Sequence, residues 1–243
     1  MTRELCLLAV LFCFLSLGPS PSVRGADVPG VIRVKPTEDF EVTGSGTNAA
    51  WQKTDWVTIP HRTPGGLPYQ SRMKLLYSPK GLYVLYDGTD AVVTSTNKPD
   101  FDNLWEEDIF EAFLWPDEKQ PIYFEYEISP FAKELPILVP NLGPKFMGWL
   151  PWKYEGERKI RKATAVTGGE LKSGGAIKGW SAEFCIPFDL LSPLQNMPPK
   201  AGTEWRANFY RVDYDQQRET RWTWVPVGPS FHEYQKFGRL IFE

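Results

Sequence analysis

Apolar positions along the chain recur in short runs with a period of two rather than 3.6, which predicts strands. Leu82-Tyr83-Val84-Leu85-Tyr86 is rich in β-branched and aromatic residues, and Lys80-Gly81 sets a turn before it. With Ser71–Tyr77 ahead of that turn, the two runs read as a hairpin. Ile109–Leu114 and Ile122–Ile128 flank Pro116-Asp117-Glu118-Lys119-Gln120-Pro121, a second hairpin with a longer loop. Lys159–Val166, Trp180–Ile186, Trp205–Val212 and Phe237–Phe242 supply further strands, and one short helical turn is expected near Pro187–Leu191. The 20 glycines and 22 prolines fall mostly between these runs. Many short strands separated by turns predict an all-β fold, an antiparallel β-sandwich of jelly-roll type with two packed sheets. The segment from Ser129 to Glu157 stands apart: it carries Pro130, Pro136, Pro140, Pro144 and Pro151 among Phe146, Trp149 and Trp152. It reads as a long irregular loop that either covers a site or plugs a sheet edge.

Within the second hairpin, alternation separates two faces. Phe110, Ala112 and Leu114 point one way and join Ile122, Phe124, Tyr126 and Ile128 in the core. The opposite face carries Glu111 from one strand and Glu125 and Glu127 from the other. Pairing Phe113 with Tyr123 would set Glu111 across from Glu125. Opposed like charges are unfavourable on the scale of cross-strand pairs, roughly 0.2–1 kcal/mol. A cation, an arginine or a solvated groove meeting a polar ligand would offset them. The arginine and lysine candidates are Arg72, Lys74, Arg206 and Arg211. Glu183 alternates away from Trp180, Ala182 and Phe184 and is expected to partner an arginine. Just ahead of the Glu111 strand lies Trp105. An indole beside hydrogen-bond acceptors suits a sugar ring, whose C–H face packs on the aromatic while its hydroxyls bond to carboxylates. The bland alternative for each of these groups is core packing or ordinary surface pairing.

Composition narrows the classes. An aromatic share of 14% with 23% charged residues fits a packed core rather than disorder. The balance of 27 basic and 30 acidic residues leaves no electrostatic footprint for nucleic acid or anionic membranes. Arg3, the apolar run from Leu5 to Leu17 and the small residues up to Gly25 resemble a secretory leader cleaved near Gly25. The run is shorter than the ~20 residues that span a bilayer, so no membrane insertion is expected. Residues 1–25 are therefore assigned to a signal peptide, residues 26–243 to one domain, and the mature protein to a secreted or periplasmic location. Cys185 is then the sole remaining cysteine and reads as a buried thiol. With His61 and His232 the only histidines, a multi-histidine metal site and a Ser-His-Asp arrangement have little support, and Met73 with His232 makes no persuasive haem pair.

Several ordered pieces carry a family resemblance. They run from Phe40-Glu41-Val42-Thr43-Gly44 and Trp51, through Leu82-Tyr83-Val84 and Asp90, to Trp105-Glu106-Glu107-Asp108-Ile109-Phe110-Glu111-Ala112-Phe113. Gly179-Trp180-Ser181-Ala182-Glu183-Phe184-Cys185-Ile186-Pro187, Gly202-Thr203-Glu204-Trp205-Arg206-Ala207-Asn208-Phe209, and Phe231-His232 to Lys236-Phe237-Gly238-Arg239-Leu240 complete them. In order and spacing the chain resembles the family 9 carbohydrate-binding modules and family-9-like domains. The resemblance implies a β-sandwich that binds mono- or oligosaccharides, often at chain ends, between aromatic walls with acidic and amide hydrogen-bonders beside them. It places Trp105 as one wall and Glu111 as a hydroxyl acceptor; Arg206, Asn208 and His232 are further candidate ligand-binding residues. Phe231 falls where such members carry a second tryptophan wall, with Trp149, Trp152 or Trp224 as substitutes. Glu125 and Glu127 stand where those members carry basic or amide groups. Some members hold structural calcium; no other cofactor is implied, and no compact acidic loop compels an ion here. The leading expectation is a non-catalytic carbohydrate-binding domain associated with polysaccharide catabolism, working beside a polysaccharide-degrading enzyme. The alternatives are a glycoside hydrolase using the facing glutamates, and a protein-interaction module using the aromatic loop.

Overall fold

A computed structural model of the protein describes residues 30–243, so the leader expected over residues 1–25 lies outside the described residues. The chain begins with β1 (Val31–Pro36), the two-residue strands β2 (Val57–Thr58) and β3 (His61–Arg62), and the hairpin β4 (Ser71–Tyr77) and β5 (Gly81–Thr89). The second hairpin is β6 (Ile109–Trp115) and β7 (Ile122–Ile128), followed by β8 (Glu134–Leu142), β9 (Lys145–Phe146) and β10 (Leu150–Pro151). Then come β11 (Arg161–Thr167), β12 (Gly179–Pro187), β13 (Glu204–Asp213), β14 (Thr220–Thr223) and β15 (Gly238–Phe242). The only α-helix among the described residues is the single turn α1 (Phe188–Leu191), where a helical turn was expected.

Two layers result. One runs β10-β8-β7-β6-β13-β15 and the other β4-β5-β12-β11. They face each other through one apolar core, in which Tyr86 of β5 stacks on Phe110 of β6 at 4.6 Å and Tyr126 of β7 meets Phe184 of β12 at 4.7 Å. This is the predicted β-sandwich, with one departure from purely antiparallel pairing. β1, which the sequence reading did not anticipate, runs parallel to both layers: Val31–Val34 pair with Arg239–Phe242 of β15, and Lys35 and Pro36 pair with Leu76 and Tyr77 of β4. By changing partners midway it joins the two sheet edges along one side of the sandwich.

Two further expectations are corrected. The Ser129–Glu157 segment is not a continuous loop, because Glu134–Leu142 forms a full strand beside β7. Its prolines are tolerated because they point to the outer edge. Pro136 and Pro140 use their carbonyls to accept from Trp152 and Met147 at 2.8 and 3.2 Å, on the side away from β7. In an antiparallel strand a residue's N–H and C=O face the same way, so the missing donors would not have met β7. The hairpin register also differs: Glu111 lies across from Glu127, and Phe113 across from Glu125. The loop is wider than a tight turn, closed by the Trp115 indole donating to the Gln120 carbonyl at 2.7 Å. A slip of two residues keeps every side chain on its predicted face, so Phe110, Ala112, Leu114, Phe124, Tyr126 and Ile128 do enter the core.

Candidate functional site

The other face of the β6–β7 hairpin is not an open, solvated sheet. A second apolar cluster covers much of it, including Phe113, Tyr123, Ile137, Tyr210 and Phe237. Where that cover is incomplete, a hollow of about 360 Å³ opens. Its floor is acidic: Glu111, Glu125 and Glu127 line it, yet they are only 3%, 3% and 1% exposed. Its walls are aromatic, with Trp105 ahead of β6, Phe146 and Trp149 from the β8–β10 flap, and Phe231 and His232 from the loop after β14. Trp105 is half-buried and meets Trp149 edge-on, with ring centroids 5.7 Å apart and planes at 73°. The two indoles make a corner rather than parallel plates. Phe231 lines the hollow, but its ring is stacked on Tyr210 at 4.0 Å and lies under the Arg221 guanidinium. Trp149, which is 36% exposed, is thus the freer second wall. Trp152 and Trp224 lie elsewhere: the Trp152 indole donates to the Leu190 carbonyl, and Trp224 packs in the main core.

The carboxyl trio is electrostatically strained. One oxygen of each, Oε2, is buried without a hydrogen-bond partner among the described residues. Glu125 and Glu127 lie within hydrogen-bonding reach of each other, and the nearby Trp105 main-chain N–H weakly favours the ionised form of Glu127. Burial pushes Glu111 up to about 8, partly opposed by Arg221. Burial, with the neighbouring carboxyls reinforcing it, pushes Glu125 and Glu127 well above the usual carboxylate range. Each would rather carry a proton than an unpaired charge in a dry site. His232 is sandwiched between Phe146 and Phe113, and its Nδ1 lies 2.6 Å from the Tyr123 hydroxyl and 3.7 Å from Glu125 Oε2. Burial lowers its pKa to about 4, so the imidazole is neutral at pH 7.

Six of the sequence-predicted site residues therefore converge on one hollow: Trp105, Glu111, Glu125, Glu127, Phe231 and His232. Arg206 and Asn208 do not join them. Arg206 donates to the Phe237 and Gln235 carbonyls and pairs with Glu118, because it tethers the chain leading into β15. Asn208 is fully buried, donating to the Val225 carbonyl at 2.9 Å and accepting the Val225 N–H at 3.0 Å. The other candidate counter-charges are spent elsewhere, with Arg72 on Asp87, Lys74 on the Trp51 carbonyl, and Arg211 on Asp90 and Asp213. The basic side chain that does reach the hollow is Arg221 of β14, held by Glu219 and the Pro229 carbonyl. Strand parity offered a signal for it, since Thr220 and Trp222 on either side are buried while Arg221 faces outward. Glu183 is also reassigned. Instead of an arginine it holds the Trp51 indole N–H, the Thr43 hydroxyl and the main-chain N–H groups of Thr43, Gly44 and Gly46.

One group of acidic side chains lies close enough together to be compared with a structural calcium site. Asp90, Asp108 and Asp213 bring oxygens within 4.8 Å of one another, and all three are buried. Between two of them the cationic position is already filled, because one Arg211 nitrogen bridges Asp90 at 2.9 Å and Asp213 at 2.6 Å. The remaining oxygens accept main-chain N–H groups, from Ala91 and Val92 on Asp90, Thr94 and Tyr214 on Asp108, and Asp215 on Asp213. The cluster suits an internal guanidinium rather than a bound ion.

Comparisons with other proteins bear on what this architecture is. A crystal structure of a candidate carbohydrate-binding protein from Bacteroides uniformis ATCC 8492 matches with a TM-score of 0.70 at 16% identity, covering 88% of this chain and 99% of that one. A family 9 carbohydrate-binding module from Caldicellulosiruptor kristjanssonii in complex with glucose matches at 0.61 and 15% identity, covering 87% of this chain and 96% of that one. The same module in complex with cellotriose gives the same score and identity, with 94% of its chain covered. No curated protein matches the chain in sequence. At these identities the structural likeness speaks for the fold. In sequence, residues 42–137 match the family model described as carbohydrate family 9 binding domain-like, a stretch that contains Trp105 and all three hollow-lining glutamates of the β6–β7 hairpin. Residues 42–137 are thus similar to the carbohydrate family 9 binding domain-like family, on a fold shared over most of the chain with family 9 modules.

Proposed function

We propose that the hollow between Trp105 and the β6–β7 glutamates is a carbohydrate-binding site, and that the protein binds sugars without cleaving them. The observation that carries this reading is the convergence of a half-buried indole and unpartnered carboxyl oxygens on one concave surface. A pyranose offers an apolar face to the indole and hydroxyls to the carboxyls, so both halves of the site meet a partner at once. The volume is near the lower end for ligand pockets, which suits one sugar ring at a chain end. Beyond it the flap extends an apolar ledge, with Phe146, Met147, Trp149 and Leu150 all exposed, on which further rings could lie. Affinity for such a site is modest, because stacking and a few hydroxyl contacts must offset ordering and desolvation.

Hydrolysis is the weaker reading. It needs one protonated acid beside one ionised partner, whereas burial drives all three carboxyls here toward the protonated form. The apolar leader sequence supports export, and the family supports a role beside an enzyme of polysaccharide catabolism, with the domain holding it on substrate.

Calorimetric titration with glucose and cellotriose, the ligands of the C. kristjanssonii module, tests the site. Wild type should give saturable heats and Trp105→Ala should lose them, with a drop of at least ~10-fold in affinity. Equal heats from the two proteins at saturating sugar would refute the reading.

A further inference from the structure

The acid content of the hollow exceeds what a neutral sugar requires. Four carboxyl groups line it, Glu111 from β6, Glu125 and Glu127 from β7, and Glu219 before β14. Against them stand one guanidinium, Arg221, which is engaged with Glu219 and the Pro229 carbonyl at the rim, and the neutral imidazole of His232. Tyr214 adds a hydroxyl but no charge, and it donates to the Trp105 carbonyl at 2.7 Å; the Tyr123 hydroxyl behind the hollow is taken by His232. Among the described residues no cationic group therefore bonds to the three Oε2 atoms on the floor, and buried polar atoms left without partners in a concave surface call for a ligand that supplies them.

We propose that this site takes a sugar bearing a free, protonated amine, whose ammonium sits among Glu111, Glu125 and Glu127 while the ring packs on Trp105 and Trp149. The proposal rests on the carbohydrate reading above and names the sugar class. An ammonium has three donors to place on the unpartnered oxygens, and charge-assisted bonds of that kind are roughly twice as strong as neutral ones. The aromatic rim also suits a cation, which is attracted to ring faces in desolvated surroundings. A divalent metal fits less well. Among the described residues, the acidic group whose oxygens all converge within 4.8 Å is the separate Asp90, Asp108 and Asp213 cluster, not the glutamate trio. Proton balance follows from the state of the empty site. The carboxyls hold protons when no ligand is bound, and the arriving ammonium favours their ionised form, so protons leave to solvent as the amine enters.

The test compares glucosamine, N-acetylglucosamine and glucose by calorimetry at pH 7, repeated in buffers of different ionisation enthalpy. Glucosamine should bind at least ~10-fold more tightly than glucose, with a heat that varies with the buffer because protons are released; the glucose heat should not vary. In Glu125→Gln/Glu127→Gln, a near-isosteric change whose folding is checked by thermal melting, the ratio of the two affinities should fall toward one. In Glu111→Gln, a second route to the same loss should a fold defect appear in the double variant, the ratio should also fall. Glucose binding as tightly as glucosamine would overturn the amine assignment and leave the carbohydrate site standing. No binding of any of the three sugars would overturn both.

Discussion

The residue that most rewards attention is Glu111, because its burial makes stability depend on pH in a definite direction. Its pKa is raised from 4.5 to about 8 by burial. The folded protein thus keeps a proton that the unfolded chain gives up. The resulting stability is complete below about 4.5 and is lost as pH rises toward 8. Glu125 and Glu127 act in the same sense. His232 opposes them lower down: lowered from 6.5 to about 4, it adds stability above 6.5 that is lost as pH falls toward 4. The two effects compete below pH 6.5 and only the acids act above it. Thermal melts should accordingly show stability falling between pH 6.5 and 8, by on the order of 1–2 kcal/mol for Glu111 alone, and Glu111→Gln should flatten that fall. Alternation in the sequence exposed these glutamates as a group, since Glu111, Glu125 and Glu127 all share one parity. What it missed was their burial, because the cover comes from the flap at residues 146–149 and from the distant loop at residues 229–232, neither of which alternation within the hairpin can report.

At the scale of elements, a single carboxylate organises the segment before the first long strands. Glu183 of β12 gathers four N–H groups and a hydroxyl from Thr43, Gly44, Gly46 and Trp51, with distances from 2.8 to 3.2 Å. Gly44 is required there. Its φ is +84°, and a Cβ would lie 2.7 Å from the Thr164 main chain. Glu183→Ala would strand these buried donors at once and should cost about 3–5 kcal/mol in urea unfolding. The strand that frames the hollow on its other side, β8, was hidden in the sequence by its prolines. Pro136 and Pro140 suppress the strand signal, yet a strand near the sheet edge can carry them where the missing N–H points away from its long partner β7. By contrast the β4–β5 and β6–β7 hairpins were legible, as their apolar runs and turn residues agree with each other.

Across the whole molecule, the two layers are locked by one buried ion cluster as well as by the core. Arg211 rises from β13 of one layer, donates to the Thr89 carbonyl at 2.7 Å at the end of β5 in the other, and bridges Asp90 and Asp213. The close approach depends on Gly88, where a Cβ would lie 2.6 Å from the guanidinium. Burial pushes Asp90 up to about 7 against the pull of Arg211, while burial together with Asp213 and Asp90 pushes Asp108 well above its usual range. Arg211→Met should therefore destabilise the protein by about 3–5 kcal/mol at pH 8. The deficit should shrink toward pH 5, where the aspartates deprived of their cation can take protons instead. A chemical-denaturation series across that pH range checks both the size and the trend.

The sequence alone determined the β-sandwich class, the hairpins and the face on which the glutamates lie, because strand alternation is a local property that burial of either face must respect. It also marked Trp105 and Glu111 as belonging together, since they are neighbours along the chain. Only the tertiary structure decided which distant groups complete the hollow. Arg206 and Asn208 were drawn into structural bonds, Arg221 took the rim, and Trp149 rather than Phe231 was left as the freer wall. Those outcomes depend on where loops separated by about a hundred residues come to rest, and on which neighbour satisfies each charge first. Pairing across a fold of that kind leaves no periodic trace in the chain.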